Sequence, residues 1–365
     1  MPKACILGLN GPRLSGRERA FFAEADPYGF ILFERNCQTP DQVRRLVAAL
    51  REISGRADAP ILIDQEGGRV ARLKPPHWRA APPAAAFGEL HRADAGAAAR
   101  AVRLNGRLIG AELFDLGINV DCAPVLDIQA PGADPVIGDR AFSDDPVAVA
   151  ALGRAFCDGL LASGVLPVIK HIPGHGRAGA DSHVALPRVA AARDMLAATD
   201  FVPFKPSSGG PASKPSSGGP ASKPSSGGPG SEARPWAMTG HVVFETIDPE
   251  NPATLSARVI EEVIRGDIGF DGILITDDLS MEALSGPLAA RARKAMGAGC
   301  NLNLHCNGKM EEMAEVALES PELSVSVMAK LALSLGALPA AAPLDSAKAK
   351  RDLDGALAKA AITDR

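Results

Sequence analysis

The sequence predicts an α/β fold, a single (β/α)8 TIM barrel interrupted by one disordered Pro/Gly/Ser insert. Three observations predict it. Eight short apolar runs recur along the 365 residues, amphipathic or alanine-rich stretches separate them, and polar residues collect just after the runs. Eight strands alternating with helices is the arithmetic of this barrel, whose chemistry gathers at the C-terminal ends of the strands. A doubly wound open sheet is the competing architecture. It usually has fewer strands and a glycine-rich phosphate turn, which this chain lacks.

The apolar runs, in order, are residues 4–9, 29–33, 61–64, 118–124, 165–171, 237–244, 272–277 and 300–305. Most are too short for helices and are rich in Ile, Val and Leu, as strands buried on both faces are. Between them the pattern predicts helices over 16–24, 41–54, 97–116, 145–163, 190–200, 256–265 and 287–296, with the alanine-rich stretch after Gly308 as the eighth. Thr39-Pro40-Asp41 opens one helix and Pro287 suits the first turn of another. Gly164 and Gly297 stand where helices end. The barrel is expected over residues 1–340, with a helical tail over 341–365.

Residues 205–231 break the pattern. They read KPSSGGPAS twice and then KPSSGGPGS. Repeats of Pro, Gly and Ser cannot bury a core, so disorder is expected. A flexible chain of that length spans about 30 Å. The insert falls between a helix and the sixth strand, which predicts the face opposite the strand C-termini.

Composition narrows the function classes. There are 39 basic and 43 acidic residues, a net charge of −4. That leaves no electrostatic footprint for nucleic acid or an anionic membrane. No apolar run reaches membrane-spanning length, and the one after Met1 is too short for a signal-peptide core. The six cysteines form no CxxC pair, which fits reduced thiols in a cytoplasmic protein. Aromatic residues are only 4%. Binders of long carbohydrate polymers need exposed aromatic platforms, so a small ligand fits better.

The strand ends carry the candidate chemistry. The third run ends in Asp64-Gln65-Glu66-Gly67-Gly68-Arg69-Val70, with Arg72 beyond. Carboxylates and guanidiniums together suit a polyhydroxylated ligand, although Glu66 and Arg69 read equally well as a salt-bridged loop. Arg140 follows the fourth run on the same face. The fifth ends in Lys170-His171, then continues through Pro173-Gly174-His175-Gly176 to Asp181-Ser182-His183. His171, His175, Asp181 and His183 could ligate a metal. Asp181 could instead orient His183 as a general acid/base, or the loop could be structural. The seventh run ends in Asp277-Asp278. Adjacent strand residues point oppositely, so one can face the barrel mouth while the other caps a turn.

Taken in order, these motifs resemble the family 3 glycoside hydrolases, and more narrowly the bacterial β-N-acetylhexosaminidases of peptidoglycan recycling. The motifs are Ile63–Val70, the Lys170–Gly176 run, Asp181-Ser182-His183 and Ile275–Met281. The resemblance covers roughly residues 4–308 outside the insert. It implies a TIM barrel without the second sandwich domain of many relatives. It implies a cytoplasmic enzyme that removes terminal non-reducing β-linked N-acetylglucosamine, with retention, from small soluble N-acetylglucosaminyl-1,6-anhydro-muramyl peptides. By the same match Asp277 is the nucleophile and Asp181 and His183 are the acid/base dyad. Asp64, Arg72, Arg140, Lys170 and His171 bind the sugar, and no metal or organic cofactor is needed. An Asp–His dyad departs from the two-carboxylate plan of most glycosidases. Three positions depart from the family pattern: Arg177-Ala178 stands where many relatives have Asp-Thr, and Asn301 where they often have Asp. The rival readings are a metal-dependent hydrolase using the three histidines with Asp181, and a non-catalytic sugar-binding barrel, which would need neither Asp277 nor the dyad.

Overall fold

Eight parallel strands close into a barrel in the computed structural model, which describes residues 1–363 apart from Pro131, Ala133, His183 and 206–233. The strands are β1 (Lys3–Leu7), β2 (Pro27–Leu32), β3 (Ile61–Ile63), β4 (Val120–Asp121), β5 (Leu166–Ile172), β6 (Trp236–Thr239), β7 (Leu274–Asp278) and β8 (Leu302–His305). Each pairs with its sequence neighbours, and β1 pairs with β8 to close the ring. All eight expected runs supply a strand. Of the predicted insert only Lys205 is described, and residues 206–231 lie outside the described residues. Arg234, the first residue described after it, pairs with Asp271 just ahead of β7, on the side of the barrel where strands begin.

Alternation along each strand sorts two cores. Ile6, Ile31, Leu62, Val120, Val168, Met238, Ile275 and Leu304 fill the barrel interior. Leu7, Leu32, Ile63, Ile169, Ala237 and Leu274 face outward onto the helices. On β5, inward-facing Leu166 and Val168 put the next inward position, Lys170, at the C-terminal mouth.

Helices α1 (Gly16–Ala25) and α2 (Pro40–Ser54) begin as their sequences direct. Ser15 and Glu18 form a capping box on α1. Thr39 caps α2, with Pro40 at its first position and Gly55 closing it at φ 63°. One helix was not foreseen: α3 (Ala84–Ala93) precedes the long α4 (Ala95–Asp115). Gly88 in its middle weakens the helical signal by about 1 kcal/mol. That glycine is required, because a Cβ there would sit 1.7 Å from the Phe142 carbonyl oxygen.

After α5 (Pro146–Leu161), the expected 190–200 helix is shorter, α6 (Arg193–Ala198). The stretch expected as helix 256–265 is a π-helix, Val259–Asp267. The expected 237–244 run divides. Gly240 lies against His171, and Val243–Phe244 then pairs with Arg188–Val189 outside the barrel. Helices α7 (Leu288–Ala298), α8 (Met310–Glu319) and α9 (Val325–Gly336) follow. The last, α10 (Ser346–Thr363), packs on α3 and α4 with Ala349 and Leu353 buried. No described helix is long and apolar enough to cross a membrane.

Candidate active site

A cavity of about 300 Å³ opens at the C-terminal ends of the strands. Asp64, Arg72, Arg140, Lys170, His171, Asp181 and Asp277 all line it, so the described residues singled out in the sequence converge there. His183 lies outside the described residues. Its neighbours are tied down: the Asp181 carbonyl accepts from the Val184 and Ala185 amides, and the Ser182 carbonyl from Ala283.

The β3 end is folded back on itself by Gln65. Its buried side chain accepts from the Arg72 and Leu73 amides at 2.9 and 3.0 Å and donates to the Leu73 carbonyl at 3.0 Å. That fold turns at Gly67, where φ is 98° and a Cβ would sit 2.4 Å from the Pro82 carbonyl oxygen, so no side chain fits. Arg72 is thereby returned to Asp64, with Nη2 to Oδ2 at 3.1 Å. Lys170 Nζ bridges Asp64 Oδ1 at 2.8 Å and Glu66 Oε1 at 2.7 Å. Arg140, at the end of a 3₁₀ turn, holds Glu66 through Nε and Nη2 at 2.8 and 2.9 Å. The result is a chain of five charges, Arg72–Asp64–Lys170–Glu66–Arg140, with three cations for two carboxylates. Glu66 is therefore both the salt bridge and the cavity wall. Arg69 is a loop tie: it pairs with Asp139 and donates to the carbonyls of Pro135, Val136 and Ile137.

Burial alone would raise both carboxyls and lower the lysine. The partners reverse each shift. Burial pushes Asp64 up, but Lys170 and Arg72 hold it well below the usual carboxylate range. Glu66, facing Lys170 and Arg140, is brought down to about 2 in spite of its burial. Lys170 is held above its ordinary value by the two carboxylates against its burial.

A pH dependence follows. Glu66 titrates lower in the folded chain than in the unfolded one. Its contribution to stability is therefore present above about 4.5 and is lost as pH falls toward about 2. Glu66→Gln is expected to flatten the denaturation midpoint against pH between those values, relative to wild type. An unchanged slope in urea titrations across that window would contradict this account.

Asp127, in the loop after β4, was not foreseen. Its Oδ2 pairs with His171 Nδ1 at 2.6 Å, and its Oδ1 accepts from the His171 and His175 amides at 3.3 and 2.7 Å. This fixes His171 with Nε2 as the ring nitrogen left for the cavity. The histidines hold the Asp127 carboxyl below its ordinary value although burial pushes it up. Burial, with His171 adjacent, lowers His175 to about 4, so its ring is neutral. Among the described residues no three His, Cys, Asp or Glu side chains converge on a metal-sized point.

The two aspartates ending β7 divide as adjacent strand residues must. Asp278 caps the following turn, accepting from Ser280 N and Oγ at 3.0 and 2.7 Å and from Cys306 N at 3.2 Å. Asp277 Oδ1 accepts from the Asp278 amide at 2.8 Å. Burial pushes the Asp277 carboxyl up, but His241, His171, the Asp278 amide and Lys170 together hold it below its ordinary value. It is an ionised carboxylate beside a cationic cluster, which suits nucleophilic attack on an electrophilic carbon. Phe33 is the carbocyclic aromatic among the described lining residues. The guanidinium carbons of Arg72 and Arg35 lie 4.9 and 5.1 Å from its ring centre. Asn301, outside the cavity, accepts from the Leu274 amide at 2.9 Å and so serves the strand ladder.

Comparison with known proteins places this geometry in a family setting. The model for the glycosyl hydrolase family 3 N-terminal domain matches residues 13–207 and 234–332. A β-hexosaminidase of Alkalilimnicola ehrlichii is 40% identical over 304 residues, 83% of this chain and 80% of that one. Native NagZ from Neisseria gonorrhoeae matches with a TM-score of 0.77 at 29% identity, covering 98% of this chain and 96% of that one. A family 3 β-N-acetylglucosaminidase from Paenibacillus sp. FPU-7 gives 0.78 at 32% identity, with 97% of this chain spanning 66% of that one.

Proposed function

The chain belongs to glycosyl hydrolase family 3, among its β-N-acetylhexosaminidases, and on that premise we propose that it removes terminal non-reducing β-linked N-acetylglucosamine with retention of configuration. The observation that carries this reading is Asp277, an ionised carboxylate at the end of β7, facing the Asp64–Lys170–Glu66 chain across one cavity. In the first step a carboxylate oxygen of Asp277 bonds to the anomeric carbon. The bond to the leaving oxygen breaks, and His183 supplies that oxygen with a proton. In the second step water attacks the anomeric carbon, His183 takes the water's proton, and the Asp277 carboxylate is regenerated. Asp181 keeps the imidazole oriented and charged. Lys170, Asp64, Arg72, Arg140 and His171 Nε2 hold the sugar's hydroxyl groups, so that orientation is set before attack. The substrate is N-acetylglucosaminyl-1,6-anhydro-muramyl peptide in the cytoplasm. This rests on the likeness to NagZ and on a cavity of monosaccharide size with little free aromatic surface.

The test is hydrolysis of a chromogenic β-N-acetylglucosaminide beside the matching β-glucoside and β-N-acetylgalactosaminide. The first should be turned over far faster than the others, and equal rates on all three would overturn the specificity. The acid/base role is tested separately. His183→Ala should lower turnover of a substrate with a poor leaving group by roughly 10²–10⁴-fold. Azide, which needs no general base, should restore turnover of an activated aryl substrate and give the β-configured azide. No rescue, with the fold intact, removes His183 from the mechanism.

A further inference from the structure

His241 is completely buried, two residues beyond the end of β6, and has no place in the mechanism above. Its Nε2 lies 2.9 Å from the backbone oxygen of Asp278. A carbonyl can only accept, so Nε2 carries the proton. Its Nδ1 lies 2.7 Å from the Thr254 hydroxyl, which is itself 2.8 Å from the hydroxyl of Thr239 on β6. The imidazole thus braces the end of β6 against the end of β7.

The brace falls where the β6–β7 ladder gives none. Register between β7 and β8 slips between Ile275 and Asp278, and the last β6–β7 pair is Met238 with Ile275. Asp278 still pairs with Leu304 on β8, but its carbonyl lies past the last pair on the β6 side, at the residue whose amide holds the Asp277 carboxylate at 2.8 Å. The Asp278 side chain is meanwhile pinned by Ser280 and the Cys306 amide. We infer that His241 is a positioning residue for the nucleophile: through the Asp278 carbonyl it fixes the residue whose N–H orients the Asp277 carboxylate. This rests on Asp277 being the nucleophile. Burial also keeps the ring below its ordinary basicity, although Asp277 and the Asp278 carbonyl pull the other way.

Two amide side chains separate positioning from mere filling. Gln places an amide donor near the Nε2 position, within reach of the Asp278 carbonyl. Asn reaches only the Nδ1 position, toward Thr254. His241→Gln should keep most of kcat. His241→Asn should lose about 10²-fold in kcat, the scale of an ångström-level misplacement. KM should change little in either, because the sugar-holding residues are untouched, and thermal melting should be similar for both. Leu replaces neither contact and should behave as Asn does if it folds. In parallel, a 5-fluoro β-N-acetylglucosaminyl fluoride is used to trap wild-type enzyme, and the labelled peptide is identified by mass. Label on Asp277, with a slower trapping rate in His241→Asn than in His241→Gln, is the expected result. Gln and Asn variants with equal kcat and equal trapping rates would overturn the inference, as would a loss confined to KM. Label on another residue would overturn the premise instead.

Discussion

Asp277→Ala should abolish turnover, by roughly 10⁴-fold or more, while the fold survives. The carboxylate is half-buried at the cavity and held ionised by neighbours, an arrangement that favours reactivity over stability. Removing it takes away no packing core, and the melting temperature should hold or rise. Azide can occupy the vacated space and attack the anomeric carbon directly. It should restore measurable turnover of an activated aryl β-N-acetylglucosaminide and give the α-configured azide, the opposite outcome to His183→Ala. Asp278→Ala is the control. It removes a turn cap bonded to Ser280 and Cys306, so about 1 kcal/mol of stability should go while much of the activity remains. Equal losses in both variants would remove Asp277 from its role.

Lys170→Met should be the most damaging single change to stability at the site. The ammonium group bonds Asp64 at 2.8 Å and Glu66 at 2.7 Å, and its side chain is 3% exposed. Met has similar bulk and keeps the packing, so the effect isolates the charge. Each carboxylate keeps one arginine and loses its shared cation, which by analogy with other broken buried pairs costs about 3–5 kcal/mol. The deficit should shrink as pH falls, because a protonated carboxyl no longer strands a charge. Urea denaturation of wild type and variant at neutral and acidic pH reads both effects. A deficit that does not vary with pH would mean that packing, and not charge, is what Lys170 supplies.

The barrel was legible because its signal is repetitive: eight apolar runs of strand length gave eight strands, from Lys3–Leu7 to Leu302–His305. What escaped was local structure decided by tertiary contact. Helix α3 was hidden by Gly88, kept by the nearness of Phe142 and not by propensity. The 237–244 run broke at Gly240, packed against His171. In the site, residues that bunch in motifs could be read together, since Asp64, Lys170 and Asp277 all stand at strand ends. Asp127 was visible only as a lone carboxylate in the apolar stretch Val125-Leu126-Asp127-Ile128, a costly place unless it is paired. Its partner, His171, lies 44 residues on. His241 carried no signal, because its partner is a backbone carbonyl, which has no letter in a sequence.

The pairing of Phe33 with Arg72 and Arg35 has a consequence for molecular discrimination. The aromatic ring at the cavity already stacks with guanidiniums, so a sugar gains little by laying its apolar face there. Recognition then falls to buried charged groups that must each meet a hydroxyl. A deoxy sugar that leaves one of them unmatched forfeits far more than one contact, because the stranded group has lost its water as well. Such a pocket tolerates changes in the bulk beyond the glycosidic oxygen better than the deletion of a single ring hydroxyl. A series of monodeoxy N-acetylglucosaminides should therefore show steeper losses in kcat/KM than a series of altered aglycones.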